Sequence, residues 1–569
     1  MSESATVLTT ETLWYLGPEA TLVLTAVVLY LRGVFRRWED QPIAAGKSLS
    51  QDTLSLQIAL VGVVLAGWAL VRIGLPQESV GPVILDPLGL YIRWLSLAAI
   101  GLLVLLASTD ASRTNRPEYL GTVLLAGAGV MAVAAADNLV LLFVALELVS
   151  IPTYIVLCLG RRDADGYEAS AKYFFLSLAA SAMTLYGISF LYGASGSLEL
   201  TAIRQNLVGK LSVSEGYFSD FTQLGVIFLL AGLGFKITAA PFHFYAPDVY
   251  QGTSYPNAAL LSAAPKIAGF TALVRILIES LWPWEQHGFG WRVVLALAIL
   301  TMTVGNTAAL WQTHLRRLLA YSSVGQAGYI LAALAVALGA ETAESRSDGL
   351  AAVLLYLAVY AAATIGAFSV FEGIRRSGRP VETMEDLAGL SRHRPWSAAW
   401  LAIFMFSLAG VPPLAGFWGK WAVVLGAIQS SLSPRTGTQQ SLWFMILAAA
   451  VMLNAAAAAA YYLRVVAAAY FRPPAQTHTA AGPAGPWIAA VLCGLLCVGI
   501  GLMPWPLWNT AASAVEPLAQ PGQPLIFWDS SDGNPELGVQ TIPAVSLLSP
   551  EDAADSSLVH FVFFAPERD

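Results

Sequence analysis

Apolar stretches of bilayer length, separated by short polar loops, recur along the chain from Pro18 to a last run that opens at Pro486. About 20 residues of helix span the hydrocarbon core, so each stretch predicts one membrane-crossing helix. There are fourteen such runs, starting near Pro18, Leu54, Pro87, Tyr119, Asn138, Ser170, Leu224, Pro256, Trp291, Leu318, Leu350, Trp396, Leu442 and Pro486. The linker Ala136-Asp-Asn138 leaves room only for a tight antiparallel helix pair. Two runs carry their own interruption. In the seventh, Pro241 follows Lys236 by five residues and removes a backbone donor; in the twelfth, Gly410, Pro412, Pro413 and Gly416 precede Lys420. Interrupted helices at bilayer depth, one in each half of a chain, are the pattern of paired repeats around an ion pathway.

Composition fixes the class. The 569 residues are 56% hydrophobic and 12% charged, with mean hydropathy +0.63, which excludes an ordinary soluble domain and gives an all-α polytopic membrane protein. Cys158, Cys493 and Cys497 lie in apolar runs, which argues against a disulfide framework, a zinc site or an iron–sulfur cluster. No phosphate-binding glycine loop follows a strand, and no Cys/His set has metal spacing. The chain is therefore expected to carry no cofactor or metal of its own and to bind no nucleic acid; its surroundings are the lipid bilayer. The first dozen residues hold no basic residue ahead of the first apolar run, unlike a secretory signal peptide.

Lysine and arginine give the orientation. Of the thirty, seventeen fall in the loops after odd-numbered spans and nine on the side of the termini. The arginine-rich side is expected to be cytoplasmic, with both termini on the non-cytoplasmic face of a bacterial inner membrane. The remaining four are Lys172, Lys236, Lys266 and Lys420, all inside apolar runs. A desolvated lysine can release its proton, whereas arginine cannot, so this choice points to groups that change protonation state.

Glu147 lies nine residues into its run, about 14 Å deep. Intramembrane acids are costly and mark ion pathways, and this one is expected to pair with Lys236, itself near mid-depth. A carboxylate beside a lysine holds its proton, and burial without one releases it. Lys266 stands ten residues into the next run after Pro265, and Lys420 stands beside the second interruption; both are expected to serve as relays. Lys172 forms an i,i+4 pair with Glu168 near the cytoplasmic end and fits either an interface pair or a relay. His243, just past Pro241, is a candidate shuttle, and His314 beside Arg316 and Arg317 reads as interfacial. From about Pro517 the chain becomes an acidic, Pro/Gly-rich, non-membrane tail in which residues 559–564 have the pattern of a short strand.

Three motifs carry a resemblance. Lys236 through Pro-Phe-His-Phe-Tyr-Ala-Pro-Asp-Val-Tyr-Gln-Gly252, Arg317-Leu-Leu-Ala-Tyr-Ser-Ser323 and Gly410-Val-Pro-Pro-Leu-Ala-Gly-Phe-Trp-Gly-Lys420 resemble the subunit N (subunit 2) family of respiratory complex I. Gly17-Pro-Glu19 and Asp386-Leu-Ala-Gly-Leu390 are similar to it too. The resemblance implies two inverted five-helix antiporter-like repeats, at 116–285 and 286–475. Three helices precede them (1–115), one follows (476–517), and 518–569 form the tail. It implies a proton-translocating subunit of NADH:quinone oxidoreductase, an enzyme complex whose redox site lies off this chain. Quinone, NADH, FMN and iron–sulfur clusters would sit on partner subunits, and the neighbours would be another antiporter-like subunit and small membrane subunits. Glu147, Lys236, Lys266 and Lys420 match the family's pumping carboxylate, broken-helix lysine, central relay and exit-side lysine. Gln326 stands where many subunit N sequences have histidine and is similar to photosynthetic relatives fed by ferredoxin, which leaves the electron donor open. A subunit of a multisubunit cation/proton antiporter, which shares the fold, and a non-pumping scaffold are the alternatives.

Overall fold

A computed structural model describes residues 14–39, 47–74, 78–109, 116–161, 163–211, 217–281, 289–434, 436–473, 478–480 and 484–519. The acidic tail and its expected strand at 559–564 lie outside these residues. Among them, twelve helices are long and apolar enough to cross a membrane, and two shorter apolar helices, Phe221–Lys236 and Pro395–Ala409, bring the crossings to the expected fourteen.

In chain order the helices are α1 (Gly17–Glu39), α2 (Lys47–Ile73), α3 (Pro87–Leu106), α4 (Arg116–Ala134), α5 (Leu139–Leu159), α6 (Ala164–Ser195), the short surface helix α7 (Leu200–Leu211), α8 (Tyr217–Lys236), α9 (Ala246–Gly252) and α10 (Tyr255–Val274). Then come α11 (Phe289–Leu310), α12 (Leu315–Leu338), α13 (Ala343–Glu372), α14 (Pro395–Ala409), α15 (Ala415–Leu432), α16 (Thr438–Phe471), α17 (Gly485–Leu502) and α18 (Trp505–Ala519). α8 with α9 makes the seventh crossing, and α14 with α15 the twelfth. Several helices start one or two turns before the apolar run that announced them, as α6 and α13 do, because a helix continues into the polar interface.

The most buried crossings are α10, α12 and α13, which form the interior of the bundle. Large apolar side chains on the outer helices, among them Leu24, Trp68, Phe175, Tyr186 and Leu453, face outward, as a lipid solvent requires. At one end, β1 (Glu78–Val80) pairs antiparallel with β2 (Val83–Leu85). At the arginine-rich end, β3 (Ile374–Arg376) lies between β4 (Arg379–Pro380) and β5 (His478–Ala480), both antiparallel to it.

Both interruptions end in the same device. In the Schellman arrangement the second residue past the helix bonds back five positions, and the residue before it, three. At the second break, Val411 N donates to Phe406 O and Gly410 N to Ser407 O, with Gly410 at φ 89°. At the first, Ala239 N donates to Gly234 O and Thr238 N to Phe235 O, and the left-handed position is taken by Thr238 at φ 61°. A β-branched residue there is strained, and such strain gathers at functional sites.

Two readings need correction. The last crossing, expected as one helix over 476–517, is itself interrupted between α17 and α18. Pro504 has no N–H to continue the ladder and disfavours helical backbone at Met503. The freed carbonyl of Gly501 accepts from Trp418 Nε1 at 2.8 Å, and a Cβ at Gly501 would run into Pro413 O, so this third break rests directly on the second. Buried cations are also not all lysine. Arg93, Arg275, Arg316 and Arg346 are buried, and Lys172 is half-exposed. Arg93 meets Glu19 at 2.8 Å, tying α3 to the Gly17-Pro-Glu19 start of α1. Arg275 sits in a π-helical turn, Arg275–Ser280, where it binds Asp86, Glu279 and the Ala134 carbonyl. Arginine thus serves where a permanent charge joins helices near their ends.

Candidate functional site

At the first break, α8 terminates on Lys236, and its side chain reaches across to α5. Nζ is 2.5 Å from Ser150 Oγ and 3.2 Å from Glu147 Oε1. Lys236 is 5% exposed and Glu147 22%, so the pair is buried from one side only. Ser181 of α6 donates to the same carboxylate oxygen at 2.5 Å. From there a ladder of hydroxyls runs along the α5–α6 seam toward the arginine-rich end. Tyr154 donates to Ser177 at 2.7 Å, and Thr153 meets the Tyr173 hydroxyl at 3.5 Å.

Lys266 of α10 is wholly buried. Its ammonium donates to both the hydroxyl and the carbonyl of Ser323 on α12 and lies 5.0 Å from the centre of the Tyr360 ring. The Tyr360 hydroxyl, 2.9 Å from Ser323 Oγ, also donates to Ser262 O at 3.1 Å. No direct hydrogen bond among the described residues joins Lys266 to Lys236. The two helices meet at Gly269, where a Cβ would lie 3.6 Å from the Lys236 Cβ.

At the second break, no carboxylate among the described residues pairs with Lys420. Its Nζ donates to Leu408 O at 2.9 Å and Ala409 O at 2.8 Å, the unsatisfied carbonyls that end α14. This is the negative end of a helix dipole, where a cation is favoured. The Tyr329 ring centre is 4.8 Å away. Leu408 O also accepts from Gln326 Nε2 at 3.1 Å, and that amide donates again to Tyr462 at 3.0 Å. Tyr356 donates to the amide oxygen of Gln326 at 2.7 Å. The Tyr462 hydroxyl bonds Ser322, the chain neighbour of Ser323. Two hydrogen-bonded groups therefore lie between Lys266 and Lys420: Ser323 with Lys266 and Tyr360, and Ser322, Tyr462 and Gln326 with the Leu408 carbonyl that Lys420 shares. They meet only where Ser322 and Ser323 are neighbours in the chain, with no hydrogen bond between the two hydroxyls among the described residues.

Lys172 lies elsewhere. It meets Glu168 at 2.6 Å, the expected i,i+4 pair, and also Asp248 of the half-helix α9 at 2.9 Å. Arg317 of α12 holds the other Asp248 oxygen at 2.9 Å. Lys172 and Arg317 thus fasten α9 at the arginine-rich end, away from the buried lysines. His243 is half-buried beside Tyr321, with ring centres 6.5 Å apart and no hydrogen-bond partner on Nδ1 among the described residues. His314 caps the start of α12 outside the span; burial and then Arg316 push it down to about 4, so it is neutral at physiological pH. The sequence reading missed Ser150, Ser181, Tyr356, Tyr360, Tyr462 and Asp248. Tyr356 and Tyr360, four apart in an apolar run, and Asp248 inside the first motif were the available signals.

Comparison with known proteins gives the family. Residues 136–436 match the family model described as NADH:quinone oxidoreductase/Mrp antiporter, TM. NADH-quinone oxidoreductase subunit N of Rhodospirillum rubrum is 37% identical over 73% of this chain and 81% of its own length. Subunit N 2 of Roseiflexus castenholzii is 40% identical over 66% of this chain and 75% of its own. Among solved structures, a chain of respiratory complex I from Thermus thermophilus with bound aureothin superposes with TM-score 0.68 at 31% identity, covering 87% of this chain and 99% of that one. A chain of the Mrp complex from Dietzia sp. shares the fold, with TM-score 0.69 at 20% identity and coverage of 88% and 98%. The chain belongs to the NADH:quinone oxidoreductase/Mrp antiporter family of membrane subunits, and within it to subunit N of NADH:quinone oxidoreductase.

Proposed function

We propose that this chain moves protons across the membrane as a subunit of an NADH- or related-donor:quinone oxidoreductase, with its redox groups on partner subunits. The observation that carries this reading is the row of three buried lysines: Lys236 and Lys266 are held by groups that exchange protons, Glu147 with Ser150 and Ser323, and Lys420 by the α14 carbonyls, which accept from it without a full charge. Arginine would hold such contacts as firmly but could not let the proton go. The hydroxyl ladder along α5 and α6 supplies Glu147 from the arginine-rich side. Glu147 and Lys236 hold the proton together. Lys266 passes it to the Ser323–Ser322–Tyr462–Gln326 file, and Lys420 receives it for release on the opposite side. Because Gln326 cannot titrate, that step runs by exchange along hydroxyls and water.

Moving one proton against about 150 mV takes roughly 3.5 kcal/mol from the potential alone. The energy comes from the partner subunits, through a charge placed near Glu147 that pulls the pair apart. The test is Lys236→Met in the assembled complex, in sealed vesicles. Quinone reduction with sharply reduced proton uptake supports the reading. Unchanged pumping leaves this chain a scaffold, and sodium-dependent exchange by the chain without quinone-reducing partners makes it an antiporter subunit.

A further inference from the structure

The interrupted last crossing leaves a space that the proton file does not use. A cavity of about 590 Å³ opens between α3, α13, α17 and α18, walled by Leu90, Trp94, Ala98, Ala361, Leu496 and Leu507 among others. It follows α3 from Pro87 to Leu102, about 22 Å of helix, whereas one leaflet's hydrocarbon layer is about 15 Å thick. The cavity is narrow, apolar and longer than a single leaflet, which are the dimensions of a slot for an extended hydrocarbon chain. Its wall is alanine-rich on α13 (Ala358, Ala361 and Ala362), and no side chain of the described residues fills it.

A second cavity, of about 540 Å³, shares Ser513 with the first and lies at the end of the bundle where α13 begins. It has the opposite chemistry. Glu344, Asp348 and Glu516 line it with Ser347 and Asn509, and no lysine or arginine among the described residues does. Arg346, the nearby cation of the same helix turn, is buried behind the wall and donates one N–H to the carbonyl of the lining residue Ala519. An apolar slot with three carboxylates at its surface end favours a lipid whose headgroup ends in an ammonium over one with a net negative headgroup.

We propose that these adjoining cavities bind one phospholipid with a primary-amine headgroup, of the phosphatidylethanolamine type. Its amine lies among Glu344, Asp348 and Glu516, and an acyl chain lies in the slot opened by the α17–α18 break. The lipid would buttress the third break, which in turn rests on the Pro412–Pro413 break beside Lys420.

The test uses the whole complex, purified with extensive detergent washing, and counts retained lipid by native mass spectrometry. The wild-type complex is expected to keep one phosphatidylethanolamine that the Ala361→Phe complex loses. In the Glu344→Gln/Asp348→Asn/Glu516→Gln complex, whose substitutions are at the surface and leave the slot intact, retention should fall at least fivefold against competing phosphatidylglycerol. A photoreactive residue at Thr510 should cross-link to a species of lipid mass. Equal retention in all three complexes overturns the proposal, as does a Thr510 cross-link to a polypeptide, which would make the slot a subunit interface.

Discussion

The two broken crossings are built on one backbone plan and filled with different chemistry. Both end a half-helix with the same back-bonded turn, both contain a cis X-Pro bond, and both hold a buried lysine. At the first, the ammonium leaves its own helix and meets a carboxylate on α5; at the second, it turns back onto the carbonyls of the half-helix before it. The first lysine is held by a full charge that can be drawn away by another charge. The second is held by a partial charge fixed in the backbone, which nothing can move without moving the helix. In the proposed proton path the gate is therefore assigned to the first and the final acceptor to the second. The seam between them is Gln326, which shares Leu408 O with Lys420 and stands on the helix that also carries Ser323, the partner of Lys266.

The largest effect is expected at the first break. Glu147→Gln removes the movable charge, and pumping per electron should collapse as it does in Lys236→Met. Removing one partner of a buried pair also costs about 3–5 kcal/mol, so assembly is to be checked by the yield of intact complex. Next comes the file. Tyr356→Phe leaves the Gln326 amide oxygen without its donor and should slow pumping several-fold without loss of assembly, read as proton uptake at fixed quinone reduction.

The backbone plan gives an opposed pair. Gly410→Ala puts a side chain at φ 89° and a Cβ 2.9 Å from Lys420 Cδ, so the melting temperature of the purified complex should fall, by about 1–2 kcal/mol or more of stability. Thr238→Gly relieves strain at the equivalent position and should raise stability by up to about 1 kcal/mol after the entropy of the new glycine.

The smallest effect belongs to Asp137, in the loop before α5. Burial first, then Glu279, raises its carboxyl to about 7, against an offsetting Arg275. The folded state therefore binds a proton that the unfolded state has already lost, and stability falls as pH rises from about 4 to 7. Asp137→Asn should flatten thermal stability across that window and raise it at neutral pH.

The fourteen crossings, the first two interruptions and Glu147 with the three buried lysines were legible in the sequence, because each is a local departure from a long apolar pattern. Glu147 stands out since a carboxylate at that depth is costly and needs a partner. The partners of Lys266 and Lys420 were not legible. Ser323 is 57 residues from Lys266, and Tyr462 is 136 from Gln326, so only the packed bundle brings them together. Backbone carbonyls as the Lys420 partner leave no mark in any sequence. Thr238 was invisible for another reason: a threonine in left-handed backbone runs against its own preference, and only the surrounding turn imposes it. The buried arginines were misplaced because their depth near helix ends looks like an interface until Glu19 and Asp86 close over them.

The most direct test keeps the charge and removes only the ability to release a proton. Lys236→Arg and Lys420→Arg are each placed in the assembled complex, and protons moved per quinone reduced are measured in sealed vesicles. The expected result is a loss of pumping in both, with Lys420→Arg still assembling because a guanidinium can bond the same α14 carbonyls. An unchanged proton ratio in both complexes would contradict the claim that the lysines at the two breaks carry the protons.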